Sequence, residues 1–555
     1  MRTSRFVLGV RVAAVLLGVY AAACGPSGEN VGTQTNWLRS CQSSADCGEF
    51  RCLCGVCTRS CDEERTCDDL PGASCVPAEE PGATALCGGN RPVPAALCLP
   101  ECPAEGCEEG MNCVAGVCTP ALEATAQVAV DDTLRFQTFA GVGAAVAYLT
   151  GEVVQHPRKR ALFNAMFSET GFNVLRLRND YEQSPDDLTE IAEVHAAATE
   201  RLGQAPMIIM NSASPPAALK LNGSTYCEGN PETCTLTTLS DGSFDYAGLA
   251  SHWRASLEAY ALAGIEPDYI SIQNNPNHVP VEGAPIEACR FLPTEGSDVV
   301  LVDGEETTVD YPGYAQALDA VVAAIADLPF VPRIVAPETT NVSQVAEYAA
   351  ELDFDKVDAI AHHMYEVDPT NLDLAQLTAL GELASEEQRP LFQSEMQADA
   401  LTTAVLMHAA LAVEGAELFV HNGFVGSANS LDSGDVLIRL TEDDFVLEEP
   451  YYVMQHYAAH LEPGWVRVAA DSDNENLLAS AWVSPDDDRL AVVLTNPGSA
   501  EQVVGLAMGA DEPAQSSVTR TALSGVERLQ DLGALPADGV VRVPGHALVT
   551  VVLER

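Results

Sequence analysis

The stretch Tyr269-Ile-Ser-Ile-Gln-Asn-Asn-Pro-Asn-His278 decides the fold. Its first half is apolar enough for a short buried strand. Pro276 cannot donate to a sheet ladder, so the strand ends there and delivers Gln273, Asn274 and Asn275 at its C-terminal tip. A buried strand that hands polar side chains to a loop is the working unit of parallel α/β sheets, whose sites collect at strand C-termini.

Seven more runs of this kind surround it. They are Phe139–Ala147, Asn173–Arg178, Met207–Ser212, Arg333–Pro337, Asp358–Tyr365, Pro390–Glu395 and Glu417–Phe424, with the central strand at Tyr269–Asn274. Between them, apolar residues recur every three or four positions over Arg158–Phe167, Leu188–Arg201, Tyr246–Ala263, Tyr314–Leu328 and Ala400–Val413, which predicts helices. Eight β-α alternations over about 300 residues predict an α/β fold, a (β/α)8 TIM barrel, across residues 126–455. From 456 to 555 the text changes to short alternating runs, Trp465–Ala470, Leu477–Val483, Arg489–Asn496, Gln502–Leu506 and Leu548–Leu553, which predict an all-β sandwich.

These pieces resemble, in order, the motifs of glycoside hydrolase family 30. The fourth-strand text there is Q-N-E-P, matched here by Gln273, Asn274 and Pro276, with Asn275 in place of the Glu. The resemblance implies that this position is the general acid/base and that Asn274 holds a sugar hydroxyl. Gln393-Ser394-Glu395, ending the seventh strand, resembles the segment that carries the family's nucleophile, so Glu395 is expected in that role. Arg176 in Asn173-Val-Leu-Arg-Leu-Arg178 resembles the Arg that orients the nucleophile, and Arg178 shares its face. Ala361-His362-His363-Met364-Tyr365 resembles the sixth-strand H-x-Y segment, which places His363 and Tyr365 at the substrate, the tyrosine bonding the nucleophile. Ser214-Pro-Pro-Ala-Ala-Leu-Lys220-Leu-Asn-Gly223 resembles the third-strand loop, with Ala213 and Ala218 where tryptophans usually stand, and His421-Asn422 occupies a further tryptophan region. The family's sandwich sometimes takes a strand from before the barrel, which Ala126–Phe136 would supply here.

The implied activity is retaining hydrolysis of a β-linked extracellular polysaccharide, which needs two carboxyl groups about 5–5.5 Å apart. An amide at Asn275 can neither donate a proton near neutral pH nor act as a base. Three readings follow: a glycan-binding domain without catalysis, a substitute acid, or a substrate whose leaving group needs none. Candidate substitutes are Glu338, Asp180, His278 and Glu282.

The flanks speak to location. Arg2, Arg5 and Arg11 precede the apolar run 12–19, and Ala21-Ala22-Ala23-Cys24-Gly25 resembles a bacterial lipobox, so residues 1–24 read as a lipoprotein signal with Cys24 lipidated and the membrane as a partner. The same letters satisfy A-x-A cleavage and plain secretion. Residues 25–40 read as a tether. Fourteen cysteines fall within 41–118, too many and too even for anything but a disulfide module in an exported chain, located at the outer membrane or cell surface. Cys54-Gly-Val-Cys57-Thr58 echoes Ala115-Gly-Val-Cys118-Thr119, hinting at two related knots. The Cys54-x2-Cys57 spacing and the paired histidines would suit zinc, but the module lacks His and neighbours on a strand point opposite ways, so no metal or cofactor is expected. Cys227 and Cys234 flank a turn-rich loop that a disulfide could close, leaving Cys289 odd. A formal net charge of −52, with lysine only at 159, 220 and 356, argues against nucleic-acid binding.

Overall fold

The computed structural model describes residues 36–555, apart from 40, 42, 63–64, 88–92, 94, 105, 109, 147–148, 169, 182–187, 228, 280–285, 303, 428–434 and 509–513. The expected signal peptide with Cys24, most of the tether, and Glu282 lie outside the described residues.

Eight parallel strands close into a barrel in chain order. They are Gly141–Val146, Val174–Arg178, Met207–Asn211, Tyr269–Ser271, Arg333–Thr339, Ala359–His363, Leu391–Met396 and Leu418–His421, the last pairing back onto the first. Every expected strand is present. The fourth is shorter than its apolar run, because residues 272–274 already turn toward the loop that Pro276 begins. The barrel interior is packed by inward side chains such as Ile209, Tyr269, Val335, Phe392 and Val420, so it is a core and not a pore. Two expected helices end in wide turns. Lys159–Phe163 continues as the π-helical turn Asn164–Ser168, and Ala400–His408 as Ala409–Glu414. The helix Leu374–Glu386 fills the alternation between strands six and seven, and the structure adds the helix Glu449–Ala458 and the hairpin Gly296–Val302 with Glu305–Tyr311.

Nine strands form the all-β part. Val518, near one edge of its hydrogen-bonded order, and Val541 and Val543, at the other, meet in one buried cluster with Val468, Val492 and Val551. The sheet therefore folds over itself into a sandwich. Ala126–Thr138 lies inside that order, antiparallel to Val466–Ser472 and parallel to Gln502–Ala507. The strand preceding the barrel thus completes the module that follows it. Barrel and sandwich share apolar packing: Phe139 meets Trp482 edge-on, and Tyr457 and His456 hydrogen-bond Ser480 and Thr550.

The cysteine module repeats one knot three times, where the sequence echo suggested two. In each copy two cysteines oppose one another across a hairpin (Cys52 and Cys57, Cys75 and Cys98, Cys113 and Cys118). Each bonds one of two preceding cysteines, first with third and second with fourth: Cys41–Cys52 with Cys47–Cys57, Cys61–Cys75 with Cys67–Cys98, and Cys102–Cys113 with Cys107–Cys118. The echoed text is the hairpin turn of the outer copies. Cys54-Gly55 and Ala115-Gly116 carry positive φ at both central positions, the tight turn that matches strand twist. The middle copy has a long hairpin loop that Cys54–Cys87 pins down, and this length hid the third repeat from spacing alone. Cys54 and Cys57 face different partners, so their spacing does not make a shared metal site. The module docks on the sandwich through Ala115 N–H to the Leu532 carbonyl (2.8 Å) and Asn112 to Asp538 (2.8 Å). Among the described residues no helix is long and apolar enough to cross a membrane.

Candidate active site

The tip of the fourth strand is fixed from several sides. Trp253 donates to the Ile272 carbonyl (3.2 Å), Asn274 N–H to Ser212 (2.7 Å), and the Gln273 amide to the Ala213 carbonyl (2.9 Å). Asn275 then turns with φ +50°, a left-handed conformation that asparagine adopts more readily than most residues. Its N–H donates to the Glu338 carbonyl (3.1 Å), and its own carbonyl accepts from His278 N–H (3.0 Å).

Across the barrel mouth, Glu395 is 5% exposed at the end of strand seven. Arg176 Nη1 donates to one carboxylate oxygen (2.6 Å) and the Tyr365 hydroxyl to the other (2.8 Å). Burial alone would raise the Glu395 pKa, but the Arg176 guanidinium, the neighbouring His363 and the tyrosine hydrogen bond bring it below its ordinary value. Burial and the adjacent Glu395 carboxylate push the Tyr365 phenol far up, so it stays a donor. Arg176 Nη2 also reaches Asn274 Oδ1 (2.8 Å) and Glu338 Oε1 (3.1 Å), which ties the fourth, fifth and seventh strands to one guanidinium. Glu395, Arg176, Asn274, Tyr365, Asn275 and His363 therefore converge on one site.

His363 is fully buried between both halves of this site. Its Nδ1 meets Asn275 Oδ1 at 2.8 Å, and the ring lies 3.8 Å from Glu338 and 3.9 Å from Glu395. Thr340 Oγ1 donates to the same Asn275 oxygen (2.9 Å). The amide oxygen of Asn275 is thus contacted by both Thr340 and His363, and the residue itself is half-buried. At position 275 the site therefore presents an amide, which can donate a hydrogen bond but has no proton to give. The neighbouring His362 points the other way, 3.0 Å from Glu414 outside the strand ring.

The described candidates for a substitute acid are each placed elsewhere or in the wrong state. Glu338 has no solvent exposure; burial would raise its pKa, but Arg176 with His363 and Ser394 holds the carboxyl well below the usual range. It is a permanent anion that balances Arg176. Burial, with Arg290 nearby, lowers the His278 pKa and favours the neutral ring. Asp180 pairs with Arg178 (3.1 Å), whose other partner is Glu287 (2.8 Å). Arg178 thus anchors the loop after strand four and does not join Arg176 at Glu395. Sequence reasoning did not single out Thr340. Its only signal is its position just after the Ala336-Pro337-Glu338 strand end, opposite Asn275.

A cleft of 290 Å³ opens beside the site between strands eight and one, lined by Ala145, Val146, Gln397, Asn422 and Gly423. Asn422 also stands beside the Tyr365 hydroxyl, linking cleft and site. His421 is buried, its Nδ1 accepting from Gly423 N–H (3.1 Å), and its pKa falls to about 4 through that burial. Behind strand three, the buried Lys220 ammonium binds Ser214 Oγ (3.3 Å), Cys227 Sγ (3.5 Å) and the Ala288 carbonyl. The Cys227–Cys234 disulfide closes that loop, and Cys289 is a buried free thiol that burial pushes up to about 12.

The fold is shared with solved glycoside hydrolases. The catalytic domain of a family 30 xylanase C from Talaromyces cellulolyticus superposes with a TM-score of 0.59 at 15% identity, over 77% of this chain and 100% of that one. A conserved exported protein from Bacteroides fragilis gives 0.60 at 15%, over 77% and 100%. An endo-β-1,6-glucanase gives 0.55 at 14%, over 78% and 96%. No protein-family model matches the sequence, and no curated protein does.

Proposed function

We propose that the barrel is a retaining glycoside hydrolase of the family 30 type, with Glu395 as nucleophile and a β-linked glycan outside the cell as its ligand. The observation that carries this is the Glu395 carboxylate, ionised at a strand tip, with one oxygen on Arg176 and the other on Tyr365. Such a group is positioned to attack an anomeric carbon. Asn274 and Arg176 would bind and orient, with His363 and Tyr365 lining the site. The xylanase and glucanase names of the fold neighbours support a polysaccharide ligand. The disulfides support an oxidising, extracellular setting, with Cys24 as the proposed lipid anchor at the outer membrane or cell surface.

A second reading, a surface glycan receptor without turnover, draws on Asn275 and on Ala213 and Ala218 in place of aromatic rings. The test is binding and hydrolysis of xylan, β-1,6-glucan and β-1,6-galactan by wild type and Glu395→Gln. Turnover lost with binding kept supports the enzyme. Equal binding by both proteins, with no turnover by the wild type on glycans or aryl glycosides, supports the receptor.

A further inference from the structure

We infer that the bond broken at this site joins the glycan to an aglycone that departs as an anion, a phenolate or a carboxylate, and not to a second sugar. The inference rests on Glu395 as nucleophile and narrows its substrate. Its ground is the opposite condition of the two strand tips. Glu395 is charged and held. At the other strand tip Asn275 presents an amide whose oxygen contacts Thr340 and His363, and an amide NH2 can hydrogen-bond a leaving oxygen but cannot protonate it. Among the described residues Glu338 is buried beneath Arg176, Asp180 pairs with Arg178, and His363, fully buried, is engaged with the Asn275 amide oxygen. A sugar alkoxide leaves poorly without a proton, whereas a phenolate or carboxylate does not need one.

The chemistry balances without an acid. A Glu395 oxygen attacks the anomeric carbon and forms a glycosyl ester. The carbon–oxygen bond to the aglycone breaks, and its electron pair leaves on the aglycone oxygen while Asn275 Nδ2–H donates to it. Water then attacks the same carbon and frees the Glu395 carboxylate, its proton passing to the bulk buffer. Azide, already an anion, can do this second step with no proton to lose and yields a glycosyl azide.

The experiment has two independent readouts on the full chain. The first is mass-spectrometric labelling of Glu395 by dinitrophenyl 2-deoxy-2-fluoroglycosides of xylose, glucose and galactose. The second is kcat/KM over a series of aryl glycosides of rising leaving-group pKa, acyl glycosides and sugar-linked oligosaccharides, with and without azide. We expect Glu395 labelling, a steep fall of kcat/KM with leaving-group pKa, and turnover that azide accelerates. Comparing the aryl and acyl arms identifies which aglycone is preferred. Asn275→Glu should raise cleavage of sugar-linked bonds about 10²–10⁴-fold and flatten the series. Asn275→Asp, which keeps a residue tolerant of the left-handed backbone, provides a second carboxyl variant should the Glu variant fold poorly. Labelling with a flat series and azide-independent cleavage of oligosaccharides overturns this inference and leaves the nucleophile standing. Absence of Glu395 labelling with all three sugars overturns both.

Discussion

The tips of strands four and seven lie at one barrel mouth, and they are built differently. At strand seven the charge is kept: Glu395 lies among Arg176, Tyr365 and His363, all of which favour its ionised form. At strand four the side chain at 275 is held as firmly: Gln273, Asn274 and Pro276 fix the turn, and Thr340 and His363 contact the amide, but the group there does not titrate. Contacts of this kind to an amide oxygen would serve a carboxylate oxygen equally well.

The sharpest way to break this contrast is Glu395→Gln. It should lower aryl-glycoside turnover by about 10⁴-fold or more, measured by aglycone release, while an Asn275 substitution on the same substrate does far less. Next comes Arg176→Met, which strips the charge from between two buried carboxylates and should cost about 3–5 kcal/mol in urea unfolding. Its pH dependence carries a sign. In the wild type the Glu338 and Glu395 pKa values are depressed by folding, so the stability they contribute is present above the ordinary glutamate pKa and lost as pH falls through the folded values. Without Arg176, burial raises both, and the variant should gain stability relative to wild type on acidification from pH 7 toward 4. A parallel slope in the two proteins would mean that Arg176 does not govern these carboxylates. Tyr365→Phe should be smaller, about tenfold in kcat with little change in unfolding, because it removes one hydrogen bond to the nucleophile. Its acid-limb pH profile should move upward as Glu395 loses a stabilising donor. The mildest is Thr340→Val, a change of about two- to threefold on aryl substrates, which becomes larger in an Asn275→Glu background if Thr340 steers whatever stands at 275.

The barrel was legible because a buried parallel strand leaves a dense apolar run, and eight such runs with turn signals have few other solutions. Glu395, Arg176, Asn274 and Tyr365 were legible for the same reason: each ends or closely follows one of those runs, where the barrel must bring it to the rim. What could not be read was who partners whom. In the sequence Glu338 is a candidate acid at the end of strand five, and only the packing of strand five against strand four shows it buried beneath Arg176. Arg178 shares a strand with Arg176 but lies past the tightly packed layer, so it pairs with Asp180 and Glu287 in the loops. Thr340 carries no motif, and its contact with Asn275 exists only because two loops converge. The third cysteine knot escaped notice because its hairpin loop is long, and a repeat is recognised by spacing before it is recognised by pairing.

The strand Ala126–Thr138 has a mechanical consequence. It enters from the N-terminal side and lies within the nine-stranded sheet, paired with Val466–Ser472 along one edge and, over Ala126–Ala129, with Gln502–Ala507 along the other. A pull on the N-terminal end, such as drag on a surface-held molecule would exert, would load this strand lengthwise against its two neighbours, where many ladder bonds resist together instead of opening one at a time. The sandwich would carry the tension, and the barrel, which branches off after Thr138, would hang from it with its mouth undistorted.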